Sequence, residues 1–160
     1  MRRARAIQRE TNYMTATIFV DTNVIVYSLD PGKKAKQERA LVWMSEAWKK
    51  RRGRVSTQVL QEFYVTVTSK LKPGLDRETA RRHVRALMLW RPTPITSPLV
   101  ERAWSVQDRF GFSWWDSMIV AAAQTEGCSY LLTEDLQDGQ DLDGLIVLNP
   151  FMHEPDVVAA

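Results

Sequence analysis

With 160 residues and 44% apolar side chains, the chain is long enough for one domain with a good core and too apolar for disorder. No apolar run approaches the roughly 20 residues that span a bilayer, and Asp21 interrupts the first apolar run too soon for a secretory signal. A soluble cytoplasmic protein without a membrane partner is expected, and the single Cys128 excludes an intrachain disulfide and reads as a small buried residue.

The net charge is +3, and Arg2, Arg3, Arg5 and Arg9 against Glu10 account for all of it. Residues 1–16 read as a flexible N-terminal extension, with Met1 and Met14 both open as the start. The neutral body is charge-segregated. Residues 33–54 carry nine Lys or Arg against Glu38 and Glu46, and residues 70–91 carry seven against Asp76 and Glu78. Residues 108–156 carry ten Asp or Glu against Arg109 alone. Such segregation suits a polyanion lying across a basic surface toward an acidic pocket. Solvated helix faces would produce the same counts.

In chain order, Thr17-Ile18-Phe19-Val20 is a short apolar run ending in Asp21-Thr22-Asn23, followed by Val24-Ile25-Val26-Tyr27. That is a buried strand delivering Asp21 to the carboxyl edge of a sheet, where ligands and catalytic groups collect in open α/β folds. Pro31-Gly32 ends this unit. Residues 34–51 form an amphipathic helix on Ala40, Leu41, Met44, Ala47 and Trp48, stopped by Gly53. Arg54-Val55-Ser56 is a short strand. Residues 57–71 follow as a helix, although Val65 to Thr68 favour strand locally. After Pro73-Gly74, Asp76 caps a helix over 76–90 with Thr79 at its third position. Pro92, Pro94 and Pro98 bracket a strand at Ile95-Thr96. A helix over 98–110 closes at Gly111, and Ser113 caps another that runs to Gly127. Residues 128–132 and Leu145 to Leu148 are strands. The domain spans 17–149, and 150–160 are a C-terminal tail.

Strands alternating with helices predict an α/β fold with a mainly parallel sheet covered on both faces. Right-handed crossovers gather the strand ends on one edge, so Asp21 and the loop after 128–132 belong together.

Four acids stand in suggestive settings: Asp21, Glu62, Asp116 and Asp135. Each also has a plain structural reading. Asp21 can be a turn or helix-cap residue. Asp116 completes the capping-box pattern of Ser113-Trp114-Trp115-Asp116. Glu62 lies off the centre of its helix's apolar side, as a solvent-facing Glu would. After Leu131-Leu132-Thr133, either Glu134 or Asp135 can point inward. Trp114 and Trp115 read as packing residues. Gathered carboxylates repel unless a cation sits between them, and oxygen-only donors suit Mg²⁺ or Mn²⁺. Zinc is disfavoured, since only His83 and His153 are present. No nucleotide-binding glycine loop occurs, and no Ser or Cys has an evident His partner. A phosphatase using Asp21 as nucleophile would want an acid at 23 and a late Lys. The chain has Asn23, and no Lys after Lys72. Metal-assisted phosphodiester hydrolysis remains.

The blocks Phe19-Val20-Asp21-Thr22-Asn23-Val24, Gln58-Val59-Leu60-Gln61-Glu62-Phe63, Ser113 to Ile119 and Leu131 to Asp135 resemble, in order and spacing, the PIN-domain family. They resemble in particular the VapC-type toxins of toxin–antitoxin pairs. The resemblance implies a three-layer α/β/α sandwich and Mg²⁺ or Mn²⁺ held by Asp21, Glu62, Asp116 and Asp135. It prefers Asp135 over Glu134, and gives Asn23 and Thr133 supporting positions. It implies an endoribonuclease hydrolysing RNA phosphodiester bonds, the toxin of a type II pair, with a homodimer and a cognate antitoxin as partners. Such an antitoxin would lay an apolar segment in a groove that Trp43 and Trp48 could line, if they are not core. Lys33, Lys34, Arg51, Arg52, Arg81, Arg82 and Arg85 are candidates for RNA backbone contacts. The alternative is a catalytically inactive PIN-like module that binds RNA or protein.

Overall fold

The computed structural model describes residues 16–158, so the expected flexibility of residues 1–15 lies outside the described residues. A five-stranded sheet forms the centre, ordered β2-β1-β3-β5-β4. Its strands are β1 (Ile18–Val20), β2 (Gly53–Arg54), β3 (Tyr130–Leu132), β4 (Asp141–Leu142) and β5 (Leu145–Leu148). Strand β1 runs parallel to β2 and β3, and β3 runs parallel to β5. Only β4 is antiparallel, joined to β5 as a hairpin. All three residues of β1 are buried, so both faces of its pleat are covered, as a central parallel strand requires.

Among the described residues, six α-helices surround the sheet: α1 (Thr22–Tyr27), α2 (Lys34–Lys49), α3 (Thr57–Val65), α4 (Arg77–Leu87), α5 (Ser97–Phe110) and α6 (Trp114–Thr125). Helix α1 packs on α2 and α3, α3 packs on α4, and α5 lies along α6. The architecture is the expected α/β/α sandwich. Phe19, Phe63, Trp43 and Leu131 are among the fully buried side chains of one continuous core. Each large apolar side chain contributes about 1.5–3 kcal/mol by leaving water. Gly53 is required where it stands, because a Cβ there would collide with the Trp90 ring. No helix among the described residues is long and apolar enough to cross a membrane.

The register determines what meets at the carboxyl edge. Val20 is paired with Leu132, and Leu132 with Leu148. The ladder continues one step, with Asp21 N donating to Leu132 O at 3.0 Å and Thr133 N donating to Leu148 O at 3.0 Å. Asp21 and Thr133 therefore leave the sheet side by side.

Several expectations need correction. Ile95-Thr96 forms no strand. The parallel bridge there is Ser56 with Thr93, and Thr96 instead caps α5 by accepting from Leu99 N. The helix over 57–71 is α only to Val65. A π-helical turn over Thr66–Lys70 ends it, closed by Leu71 N to Thr66 O at 2.9 Å. Strand β4 was not foreseen, although Asp143 and Gly144 both take positive φ, as a two-residue hairpin turn demands.

Residues 150–158 pack against the domain. Val158 joins the core. Trp43 Nε1 donates to Pro150 O at 3.1 Å and His153 O at 3.0 Å. Trp43 is thus a core residue and lines no groove, whereas Trp48 is partly exposed and packs at a tilt on Trp90 with centroids 4.7 Å apart. Cys128 is buried, and burial pushes its thiol up to about 11, so it is an inert packing residue.

Candidate active site

Four segments deliver four acids to one open cleft of about 830 Å³, lined by Asp21, Glu62, Asp116 and Asp135. Asp21 comes from the end of β1, Glu62 from α3, Asp116 from the first turn of α6 and Asp135 from the loop after β3. Local sequence explains each placement. Ser56 caps α3 and Ser113 caps α6, each accepting from the backbone N–H three residues on.

Asp21 is the most fixed of the four. It is the N-cap of α1, with Oδ1 accepting from Thr22 N at 2.7 Å and Oδ2 accepting from Thr133 Oγ1 at 2.8 Å. Only 6% of it is exposed. Burial pushes its carboxyl up to about 7. The two hydrogen bonds oppose that rise, and the charges of Asp135 and Glu62 add to it.

Glu62 is clamped from both sides. Thr22 Oγ1 donates to its Oε2 at 2.9 Å, and Gln58 Nε2 donates to its Oε1 at 3.0 Å. The i, i+4 spacing on α3 explains the second contact. Thus the acid that helical spacing read as solvent-facing lies in the cleft. Asp116 sits at the third position of α6, where its own N donates to Ser113 Oγ at 3.2 Å. Partial burial raises its pKa, a hydrogen bond with Ser113 opposes this, and the charges of Asp135 and Glu62 add to it. Asp116 therefore belongs to a capping motif and faces the cleft as well.

Glu134 and Asp135 have different neighbours. Tyr27 Oη donates to Glu134 Oε1 at 2.6 Å, and Lys36 Nζ donates to Glu134 Oε2 at 2.6 Å. Glu134 is held away from the cleft. Asp135 Oδ2 accepts from Asn23 Nδ2 at 3.0 Å, and Asp135 N donates to Thr133 Oγ1 at 3.1 Å. Asn23 Nδ2 also reaches Thr133 Oγ1 at 3.3 Å. Thr133, fully buried, thereby joins Asp21, Asn23 and Asp135 through one oxygen.

The donor set fits a hard divalent cation. All four acids offer oxygen, and Asn23 Oδ1 is a buried acceptor with no hydrogen-bond partner. Among the described residues, no Lys or Arg forms an ion pair with any of the four acids. No three of the described acidic, His or Cys side chains close into a ready-made shell.

The basic candidates divide. Lys33 lines the acidic cleft, and Lys34, Arg51, Arg81, Arg82 and Arg85 are exposed. Arg52 is 1% exposed, with Glu46 3.7 Å away, so it is a structural residue that RNA cannot reach. The sequence reading passed over Thr22, Gln58 and Lys70. Thr22 and Gln58 hold Glu62, and Lys70 lines the cleft from the end of the π turn. For Gln58, its spacing four residues before Glu62 was the available signal.

Comparison with known proteins agrees with this fold. The PIN domain model matches residues 18–138. No curated protein matches the chain significantly. Among solved structures, a toxin–antitoxin complex from Klebsiella pneumoniae is similar at 21% identity and TM-score 0.61, over 84% of this chain and 98% of that one. VapC20 from Mycobacterium tuberculosis, described as a Sarcin-Ricin loop cleaving toxin, is similar at 21% identity and TM-score 0.54, over 72% of this chain and 87% of that one. VapBC2 from Rickettsia felis, bound to a promoter DNA fragment, is similar at 15% identity and TM-score 0.51, over 82% and 96% respectively.

Proposed function

Since this chain belongs to the PIN-domain family, we propose that it is a divalent-metal-dependent endoribonuclease, the toxin of a type II toxin–antitoxin pair. One observation carries the reading: four acids from four separate segments line one cleft, and no described Lys or Arg is ion-paired with any of them. The similarity to a Klebsiella toxin–antitoxin complex and to a toxin described as cleaving the Sarcin-Ricin loop supports the toxin assignment.

Asp21 and Asp116 would hold Mg²⁺ or Mn²⁺, with Glu62 and Asp135 completing the oxygen set. When bound, such a cation supplies a Lewis acid that activates water and offsets charge developing on the phosphate. The chain's own residues do the remainder. Thr22 N and Thr133 Oγ1 fix both oxygens of Asp21, so the buried carboxylate has one orientation. Asn23 Nδ2 holds Asp135 at the rim. Glu62, gripped by Thr22 and Gln58, accepts the proton of the attacking water at a carboxylate oxygen. Lys33 and Lys70, on the same cleft, receive phosphate oxygens of the RNA. Lys34, Arg51, Arg81, Arg82 and Arg85 extend the basic surface along which the backbone runs.

The cognate antitoxin would lay an apolar segment over the surface near Trp48. Leu41 and Trp48 are exposed there beside Leu29, Met44 and Leu87. A homodimer acting in the cytoplasm completes the proposal, and light scattering of the purified protein tests the dimer.

Incubating purified protein with total cellular RNA tests the activity. Discrete fragments with Mg²⁺ or Mn²⁺, absent with chelator, are expected. Fragments that persist in chelator refute metal dependence. Neither cleavage nor metal binding leaves the inactive RNA- or protein-binding module as the better reading.

A further inference from the structure

Trp115 has no structural reason to be where it is. It stands 63% exposed, while the adjacent Trp114 is half-buried against the core. A large indole in water forfeits the burial that makes tryptophan valuable in a fold. Yet its backbone is firmly tied. Gln58 Nε2 donates to Trp115 O at 3.3 Å, and the same nitrogen donates to Glu62 Oε1. The residue on its C-terminal side is Asp116. The ring therefore projects from a fixed point beside the acids.

The cleft that holds the acids is lined by Trp115 as well, and by Ile95 and Val65. Those two are 46% and 48% exposed. One cleft thus offers three chemistries: carboxylate oxygens for a cation, Lys33 and Lys70 for phosphate, and an apolar wall. Neither the cation nor the phosphate has any use for the apolar wall. A flat, weakly polar group attached to the phosphate chain does, and a nucleobase is that group. Trp104 is 53% exposed as well, but it does not line this cleft.

Resting on the nuclease reading for its substrate, we infer that the Trp115 indole is a stacking platform for an unpaired nucleobase next to the phosphate that is cut. Ile95 and Val65 flank that base. In a duplex the base faces are already stacked, so the platform selects nucleotides that can be splayed out. Trp115 is a positioning residue: it sets the register of the strand over the acids and takes no part in proton transfer.

The test is binding of RNA oligonucleotides by fluorescence anisotropy with Ca²⁺ in place of Mg²⁺, the probe's length checked on a gel after each titration. The probes are a labelled 15-nucleotide uridine strand and the same strand paired with oligoadenosine. Alanine substitution of a stacking aromatic costs roughly 5- to 150-fold in affinity. Trp115→Ala is therefore expected to weaken single-strand binding about tenfold while leaving duplex binding unchanged. Trp115→Phe should recover most of the loss, and the thermal midpoint of both variants should match the wild type. Unchanged single-strand affinity in Trp115→Ala overturns the inference. So does equal affinity for duplex and single strand, or no binding to either, which would leave Trp115 as a protein contact. The two readings fail separately. If total RNA is cut but Trp115→Ala binds as wild type, only the platform is lost. If no RNA is cut but the binding pattern holds, only the nuclease reading is lost.

Discussion

Thr133 Oγ1 donates to Asp21 Oδ2 at 2.8 Å across 112 residues of sequence. The same hydroxyl accepts from Asn23 Nδ2 and from Asp135 N. One side chain therefore aligns two of the four acids, and parallel pairing of β1 with β3 is what brings it there.

Thr133→Val keeps the shape and deletes that oxygen. Losing a hydrogen bond that orients a metal-binding carboxylate typically costs roughly 10- to 100-fold in activity or metal affinity. Cleavage rate should fall by about that factor, with a stability loss of roughly 1–2 kcal/mol from the donors left behind. Kinetics together with thermal unfolding checks both. A variant with full activity would show that Asp21 needs no such support.

The raised pKa of Asp21 gives a signed pH dependence. Its carboxyl titrates at about 7 in the fold, against an ordinary 3.8. Between those values the folded protein holds a proton that the unfolded chain has released. The favourable contribution is therefore complete below the ordinary value and is lost as pH rises through about 7. In chelator, the wild type should lose stability from pH 5 to pH 8. Asp21→Asn should lose less, and be more stable than wild type at pH 8 by about 1–2 kcal/mol. Scanning fluorimetry across pH checks this. A steeper loss in Asp21→Asn would contradict it.

Glu134 and Asp135 are adjacent but occupy different surroundings. Glu134 is engaged by Lys36 and Tyr27, while Asp135 faces the cleft. Asp135→Asn should reduce cleavage at least tenfold, whereas Glu134→Gln should change it by no more than about threefold. Steady-state rates on one mapped RNA site distinguish them, and a reversed order would make Glu134 the working acid.

Arg51 and Arg52 should likewise separate. Arg52 is buried beside Glu46, and Arg51 is exposed. Arg52→Ala should destabilise the fold by about 3 kcal/mol. Arg51→Ala should leave stability within about 0.5 kcal/mol and lower the salt dependence of RNA binding by about one charge. Denaturant unfolding and a salt titration read the two effects.

Features that depend on neighbours in sequence were legible. The apolar run into Asp21, the caps Ser113 and Asp76, and the αL glycine at Gly111 all stand where local chemistry puts them. Features that depend on tertiary surroundings were not. The wheel position of Glu62 said solvent, because a wheel cannot show that Thr22, from another helix, waits on that side. Arg52 read as one more surface cation, whereas in the fold it is 1% exposed. Trp115 read as packing, as most tryptophans do. The prolines around Ile95 suit a bracketed strand by local chemistry alone, yet in the fold they punctuate a loop into the Thr96 cap. The Asp143-Gly144 turn was readable and was passed over.

Calorimetric titration of Mn²⁺ at pH 7.5 into the wild type and into an Asp21→Asn, Asp116→Asn double variant tests the acid cleft most directly. Saturable binding in the wild type, abolished in a double variant that remains folded, is the predicted result. Equal binding by both proteins would mean that the cation sits elsewhere, and that the four acids are not the site of cleavage.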